Sequence, residues 1–245
     1  MRLWRARHFD GERLEIDGLS VRLTVNRRAR RVSLRIDRAR REAVAVAPSP
    51  RRLAEAAAFA RDRRAWIGER LGVLPPDRRL GAGEALAVFG TPWRLAPDGR
   101  RPRLIAASAG SPPCLVGCGA GEVDGALVAR AVKREALAVF AARAEFHCAA
   151  LNIPAPPISL MDARTRWGSC TPPRPGRRAS IRVSWRLALA PLEVADYVVA
   201  HECAHLIEAN HGPAFWAVVR RLVGDEAPHR AWLRTQGEGL HAYRL

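Results

Sequence analysis

The sequence predicts an α+β protein in which a small antiparallel β-sheet region with a helix, residues 1–125, precedes a helix-rich domain, residues 126–245. Three observations predict it. Residues 21–25 and 32–36 alternate apolar and polar side chains at the period of a strand, and 43–47 is a short apolar run. Residues 97–125 are rich in Gly, Pro and Ser, as turns and linkers are. From residue 126 onward apolar residues recur at helical spacing, and a histidine-rich motif sits in one of the helices so marked.

Taken in order, Val21–Val25 and Val32–Ile36 read as half-buried strands and Ala43–Ala47 as a more buried one, with hairpin turns expected at 28–31 and 37–41. Leu53–Leu71 has helical spacing, with Ser49 as its expected N-cap. Leu86–Leu95 reads as a hairpin turning at Gly90–Pro92, followed by short strands at Arg103–Ala106 and Leu115–Val116. A long helix is expected over 126–151, with Asp124 near its start and Asn152 near its end. Ile158–Ala163 and Ser180–Trp185 read as strands flanking the segment 164–176. The motif helix is expected from Pro191 to Asn210, proline being tolerated in a first turn, and helices at Pro213–Val223 and Ala227–Thr235 close the domain.

Composition narrows the functional classes. No apolar run approaches the roughly 18 residues of a membrane span. The start, Met1-Arg-Leu-Trp-Arg-Ala-Arg-His8, lacks the apolar stretch of a signal peptide. The five cysteines (114, 118, 148, 170, 203) are odd in number and scattered, which suits reduced thiols in the cytoplasm better than a disulfide framework. Cys114 and Cys118 have the spacing of half a zinc knuckle, but no second pair completes it. The net charge is +17, and every basic residue but Lys133 is arginine. Because the basic runs are dispersed and lack interleaved aromatics, they are expected to be solvated faces. Such faces bind nucleic acid and other polyanions weakly and in a salt-dependent way.

The most specific stretch is His201-Glu-Cys-Ala-His205-Leu-Ile-Glu-Ala-Asn-His211. His201 and His205 stand one helical turn apart on one face, so both imidazoles can reach one ion. Zinc lowers the pKa of a bound water to roughly 7, and Glu202 is placed to take its proton as general base. A straight helix would carry residue 211 about 9 Å beyond His205, so the helix must stop for His211 to become the third ligand. Asn210 and Gly212, which tolerate left-handed backbone, and Pro213 are the expected stop signals. Glu208 and the more distant Glu226 compete as third ligand; Glu208 is better suited to orienting a histidine. Cys203 points away from the histidine face and reads as a buried small residue.

Several segments together resemble the YgjP-like metallopeptidase family, which is related to the SprT-like zinc proteases. They are Thr165-Arg-Trp-Gly-Ser-Cys170, Ile181-Arg-Val-Ser-Trp-Arg-Leu187, Ala190-Pro-Leu-Glu-Val-Ala-Asp-Tyr-Val-Val-Ala-His201 and Asn210-His-Gly-Pro-Ala-Phe-Trp216. Upstream, Arg30–Ile36 and Phe89–Leu95 extend the resemblance over most of residues 20–240. It implies a minimal zincin in the C-terminal half, Zn2+ held by His201, His205 and His211, Glu202 as catalytic base, and a peptide or protein substrate. Gly212 stands where the family more often has Ser, and Ser184 where Asn is usual.

Other residues of the segment bear on substrate. If 164–170 is extended, Arg164 and Arg166 point the same way and could hold an anionic group or an oxyanion, or else one of them pairs with Asp196. Gly168 would let a substrate backbone approach a sheet edge closely. Trp167, Trp185, Phe215 and Trp216 read as core rather than substrate subsites. Cys170 is the better candidate for a redox-sensitive thiol, and His229 or Tyr243 for a donor to the tetrahedral intermediate. Two alternative functions keep the same metal site: a nucleotide phosphoanhydride hydrolase using the arginines, and a nucleic-acid-associated protease.

Overall fold

The computed structural model describes residues 8–37, 40–74, 78–96, 103–108, 110–116, 123–163, 165–243 and 245. It is mixed α+β, with small sheets and six α-helices among the described residues. The chain divides into two compact units, Met1–Pro76 and Asp77–Leu245.

In the first unit the strands are β1 (Arg13–Ile16), β2 (Leu19–Val25), β3 (Ser33–Asp37) and β4 (Glu42–Ala47), in the order β1-β2-β4-β3. The sheet is mixed rather than antiparallel, because β2 pairs with β4 in parallel. The reason is visible in β4, all six of whose residues are buried. A strand covered on both faces belongs in the middle of a sheet. It therefore separates β2 from β3, and residues 28–31 connect them without forming a hairpin, whereas β3 and β4 pair antiparallel; residues 38 and 39 of the turn expected at 37–41 lie outside the described residues. β1, absent from the sequence reading, is carried by a signal that was there. Asp17 and Gly18 both take positive φ, and Ile16 pairs with Leu19 across this two-residue Asp-Gly turn.

The expected single helix is two, α1 (Leu53–Asp62) and α2 (Arg64–Gly72). The break falls at Arg63, inside a run of exposed residues where no buried side chain holds the helix straight. Ser49 leads a short 3-10 turn, Pro50–Arg52, and its side chain makes no capping bond. Leu53, Ala56, Ala57, Ala60 and Ile67 pack against Val21, Leu23, Ala43, Ala45 and Ala47.

The second unit opens with β5 (Ala85–Val88), β6 (Thr91–Leu95), β7 (Arg103–Ile105) and β8 (Cys114–Val116), in the order β5-β6-β8-β7. The hairpin turns at Phe89-Gly90, one residue earlier than expected, with φ of +50° and +79°. A phenylalanine in left-handed backbone is strained. Here its N–H donates to the Ala188 carbonyl at 2.6 Å, and its ring meets Phe140 edge-on at 5.7 Å. Leu86, Val88, Trp93, Leu95 and Leu115 share one core with the helices that follow, so this sheet belongs to the same compact unit as the C-terminal half.

Then come α3 (Gly125–Ala150), β9 (Ile158–Met161), β10 (Gly168–Thr171), β11 (Ser180–Ser184), α4 (Leu192–Ala204), α5 (Pro213–Val223) and α6 (Ala227–Gln236). Asp124 caps α3 by accepting from the Ala126 N–H at 2.9 Å, and Asn152 just beyond its end is left-handed. Val128, Val132, Ala136, Phe140, Ala144 and Cys148 form the buried stripe of α3 at helical spacing. β10, within the expected connecting segment 164–176, pairs antiparallel with β11 and is an edge strand in the order β10-β11-β9. No helix among the described residues is long and apolar enough to cross a membrane.

One buried charge ties the first unit together. Glu42, 3% exposed, accepts from Arg22 at 2.6 Å and from Arg13 at 2.9 Å, joining β4 to β2 and β1. Burial alone would raise its pKa, but the two guanidinium groups outweigh burial and lower it. A depressed folded pKa contributes stability above the usual carboxylate range, lost as pH falls through the folded value. Glu42→Gln is therefore expected to lower stability by about 3 kcal/mol at neutral pH. The penalty should shrink as pH falls below about 4, which calorimetric melting across pH would show.

Candidate metal centre

The histidine motif is carried by a helix that is buried on both sides of the motif residues. In α4, Val194, Ala195, Val198, Val199, Cys203 and Ala204 lie in the core, and Asp196 fixes the helix to α3. Arg143 grips Asp196 with two bonds of 2.6 Å, and His147 Nε2 meets the same carboxylate at 2.6 Å. Burial would raise the Asp196 pKa, yet the His147 and Arg143 bonds lower it. Asp196 is thus occupied from α3, and Arg166 does not pair with it. Arg164 lies outside the described residues.

α4 ends at Ala204, six residues earlier than expected, with His205 as its C-cap. The chain then turns: Leu206 N–H donates to Cys203 O at 3.0 Å, and Glu208 N–H to Ala204 O at 2.9 Å. Neither Asn210 nor Gly212 takes positive φ. Gly212 is extended and N-caps α5, and Pro213 opens that helix instead of only stopping the previous one. This tight turn returns His211 to the helix end.

The three imidazoles meet there. One ligand atom from each of His201, His205 and His211 lies within 4.8 Å of the others, and His211 Nε2 is 3.1 Å from His201 Nε2. Two nitrogens bound to one tetrahedral zinc at roughly 2.0–2.1 Å stand about 3.4 Å apart, so the spacing fits a shared ion. Phe215, fully buried, underlies all three rings at centroid distances of 4.8, 4.5 and 4.6 Å. His205 Nδ1 donates to the Glu208 carbonyl at 3.0 Å, which leaves Nε2 with its lone pair for a metal. The orienting role expected of the Glu208 carboxylate is thus held by its backbone. His201 Nδ1 is buried and has no partner among the described residues, its ring held by Tyr197, Phe215 and Trp216. Burial, then the neighbouring histidines, lower the His201 pKa to about 3, and burial also lowers that of His205. Neutral imidazoles are what a metal requires. Glu226 is not among these residues; it accepts from Arg220 at 3.4 Å.

Glu202, 5% exposed, is held in a desolvated pocket that raises its pKa to about 7, against the opposing charge of Arg166. Its nearest wall is Gly168. A Cβ placed there would lie 2.7 Å from the Glu202 Cδ and closer still to a carboxylate oxygen. The glycine makes room for the carboxylate. Cys203 is fully buried, with its Sγ 3.7 Å from Cys148 Sγ. Cys170 is half-buried, and burial, with Glu202 and Cys148 nearby, pushes its thiol up to about 12. A thiol so held stays protonated, which argues against the redox role expected of it.

Trp185 and Phe215 are buried core residues, as expected, whereas Trp167 and Trp216 are half-buried at its margin. His229 stacks on Tyr197 at 5.8 Å, and Tyr197 in turn meets His201 edge-on at 5.9 Å. Arg230 covers the Trp216 ring at 4.6 Å and adds positive charge near His201. Tyr243 accepts from Arg78 at 3.0 Å. Tyr197 and Arg230 are not singled out by sequence, and Phe215 is expected only as a core residue, not as the floor beneath the three histidines.

Comparison with protein families matches the chain to the YgjP-like metallopeptidase domain over residues 30–236. No curated protein and no solved structure matches the chain. Gly168→Ala is expected to cost about 1–3 kcal/mol by overpacking the carboxylate. Adding Glu202→Ala to the same chain should recover most of that loss, which thermal melting of the two variants would reveal.

Proposed function

The chain belongs to the YgjP-like metallopeptidase family, and on that premise we propose that it is a zinc-dependent peptidase of the minimal zincin type. His201, His205 and His211 would hold the ion, with Glu202 as general base. The observation that carries this reading is the convergence of three imidazole nitrogens within 4.8 Å beside a buried carboxylate. The order α3, then β9 to β11, then α4 and the closing helices supports the zincin layout. Three imidazoles suit zinc and leave a fourth position open.

Zinc held there would supply a Lewis acid that polarises the scissile carbonyl and makes the attacking water more acidic. Glu202 takes the proton of the attacking water on its carboxylate and delivers it to the departing amine nitrogen. Its desolvated pocket sets its basicity near neutrality, where both transfers are efficient. The exposed Arg166, whose charge reaches the Glu202 carboxylate, is available to an oxyanion or a substrate carboxylate. The edge strand β10 begins at Gly168, against Glu202. An extended peptide paired along that edge would lie beside the base, which favours peptides over nucleotides.

Zinc-loaded wild type and Glu202→Gln are to be compared on a pooled peptide library read by mass spectrometry, with nucleoside triphosphates assayed in parallel. The expected outcome is new peptide termini from the wild type, reduced about 10²–10⁴-fold in the variant at equal zinc content. Phosphate or pyrophosphate release that depends on Glu202, with the peptides left intact, would replace the peptidase by a phosphoanhydride hydrolase.

A further inference from the structure

β3 is an edge strand, and its outer side has no partner among the described residues. Beside it lies a groove of about 320 Å³, walled on one side by Val32 and Leu34 and on the other by Phe59 of α1 and Trp66 of α2. Arg31 and Arg63 stand at its margins, and neither has an acidic partner among the described residues. We propose that this groove, together with the free edge of β3, docks an extended acidic peptide segment as an added strand.

Three features select that occupant. Every second residue along Ser33–Ile36 aims its N–H and C=O away from β4, and these groups are satisfied in full only by water or another strand. Strand addition uses such an edge for affinity and pockets beside it for alternate side chains. Half-buried Leu34, Phe59 and Trp66 offer an apolar pocket to one such side chain, and a volume at the low end of ligand sites suits a short segment. The guanidinium groups of Arg31 and Arg63 then complement carboxylates on the same face of the incoming strand, and Arg35 on β3 complements those on the other. Single-stranded nucleic acid is the poorer fit. It binds by stacking bases on open aromatic faces, whereas Arg63 already covers Phe59 at 5.7 Å and Arg70 covers Trp66 at 5.8 Å. The inference concerns binding by the first unit and does not depend on the peptidase reading.

The test uses the full chain carrying Glu202→Gln, so that bound peptide is not turned over, and fluorescence anisotropy. The probes are a short labelled acidic peptide with one central aliphatic residue, the same peptide N-methylated at alternate backbone positions, and a labelled single-stranded oligonucleotide. The parent peptide is expected to bind, the N-methylated form to lose binding, and the oligonucleotide to bind more weakly at physiological salt. Arg31→Glu with Arg63→Glu, both at exposed positions, should weaken the parent peptide at least about tenfold without shifting the melting temperature. Equal binding of parent and N-methylated peptides, no effect of the charge reversal, no peptide binding, or preference for the oligonucleotide would each overturn the proposal.

Discussion

The packing of α4 against α3 is the constraint on which the site depends. Asp196 on α4 is held by Arg143 and by the fully buried His147 of α3, and the apolar stripes of the two helices close around that contact. A helix fixed in this way cannot rotate to expose its motif face. Glu202 is therefore kept in low dielectric, and the histidines are kept at the helix end where the chain can return to them. The cysteine pair of the same interface, Cys148 and Cys203, fills space that larger side chains would force open.

The second requirement is local. A regular helix through residue 211 would separate the third histidine from the other two. By ending at Ala204 and turning through Leu206–Glu208, the chain satisfies its last carbonyls and brings His211 back over Phe215. Gly168 on β10 supplies the complementary accommodation, a wall without a side chain where the Glu202 carboxylate lies.

Much of this could be read from residues alone, because it depends on local spacing. The histidine motif, the bounds of α5 and the start of α3 at Asp124 all follow from periodicity and from residues with strong positional preferences. What could not be read depends on partners distant in sequence. The parallel pairing of β2 with β4 is decided by burial of β4 on both faces, and the role of Gly168 by a glutamate 34 residues away. α4 ends before its expected stop at Asn210 because Gly212, a residue suited to capping the preceding helix, caps the following one. The orienting of His205 falls to a backbone carbonyl, which no side-chain pattern reports.

The central claim is that His201, His205 and His211 share one ion. X-ray absorption at the zinc edge of the full chain, loaded with one equivalent of zinc, tests it most directly. The account predicts one tightly held zinc with three imidazole nitrogens at about 2.0–2.1 Å and one further light donor. A sulfur donor at about 2.3 Å, or a spectrum unchanged when His211 is replaced by alanine, would contradict it.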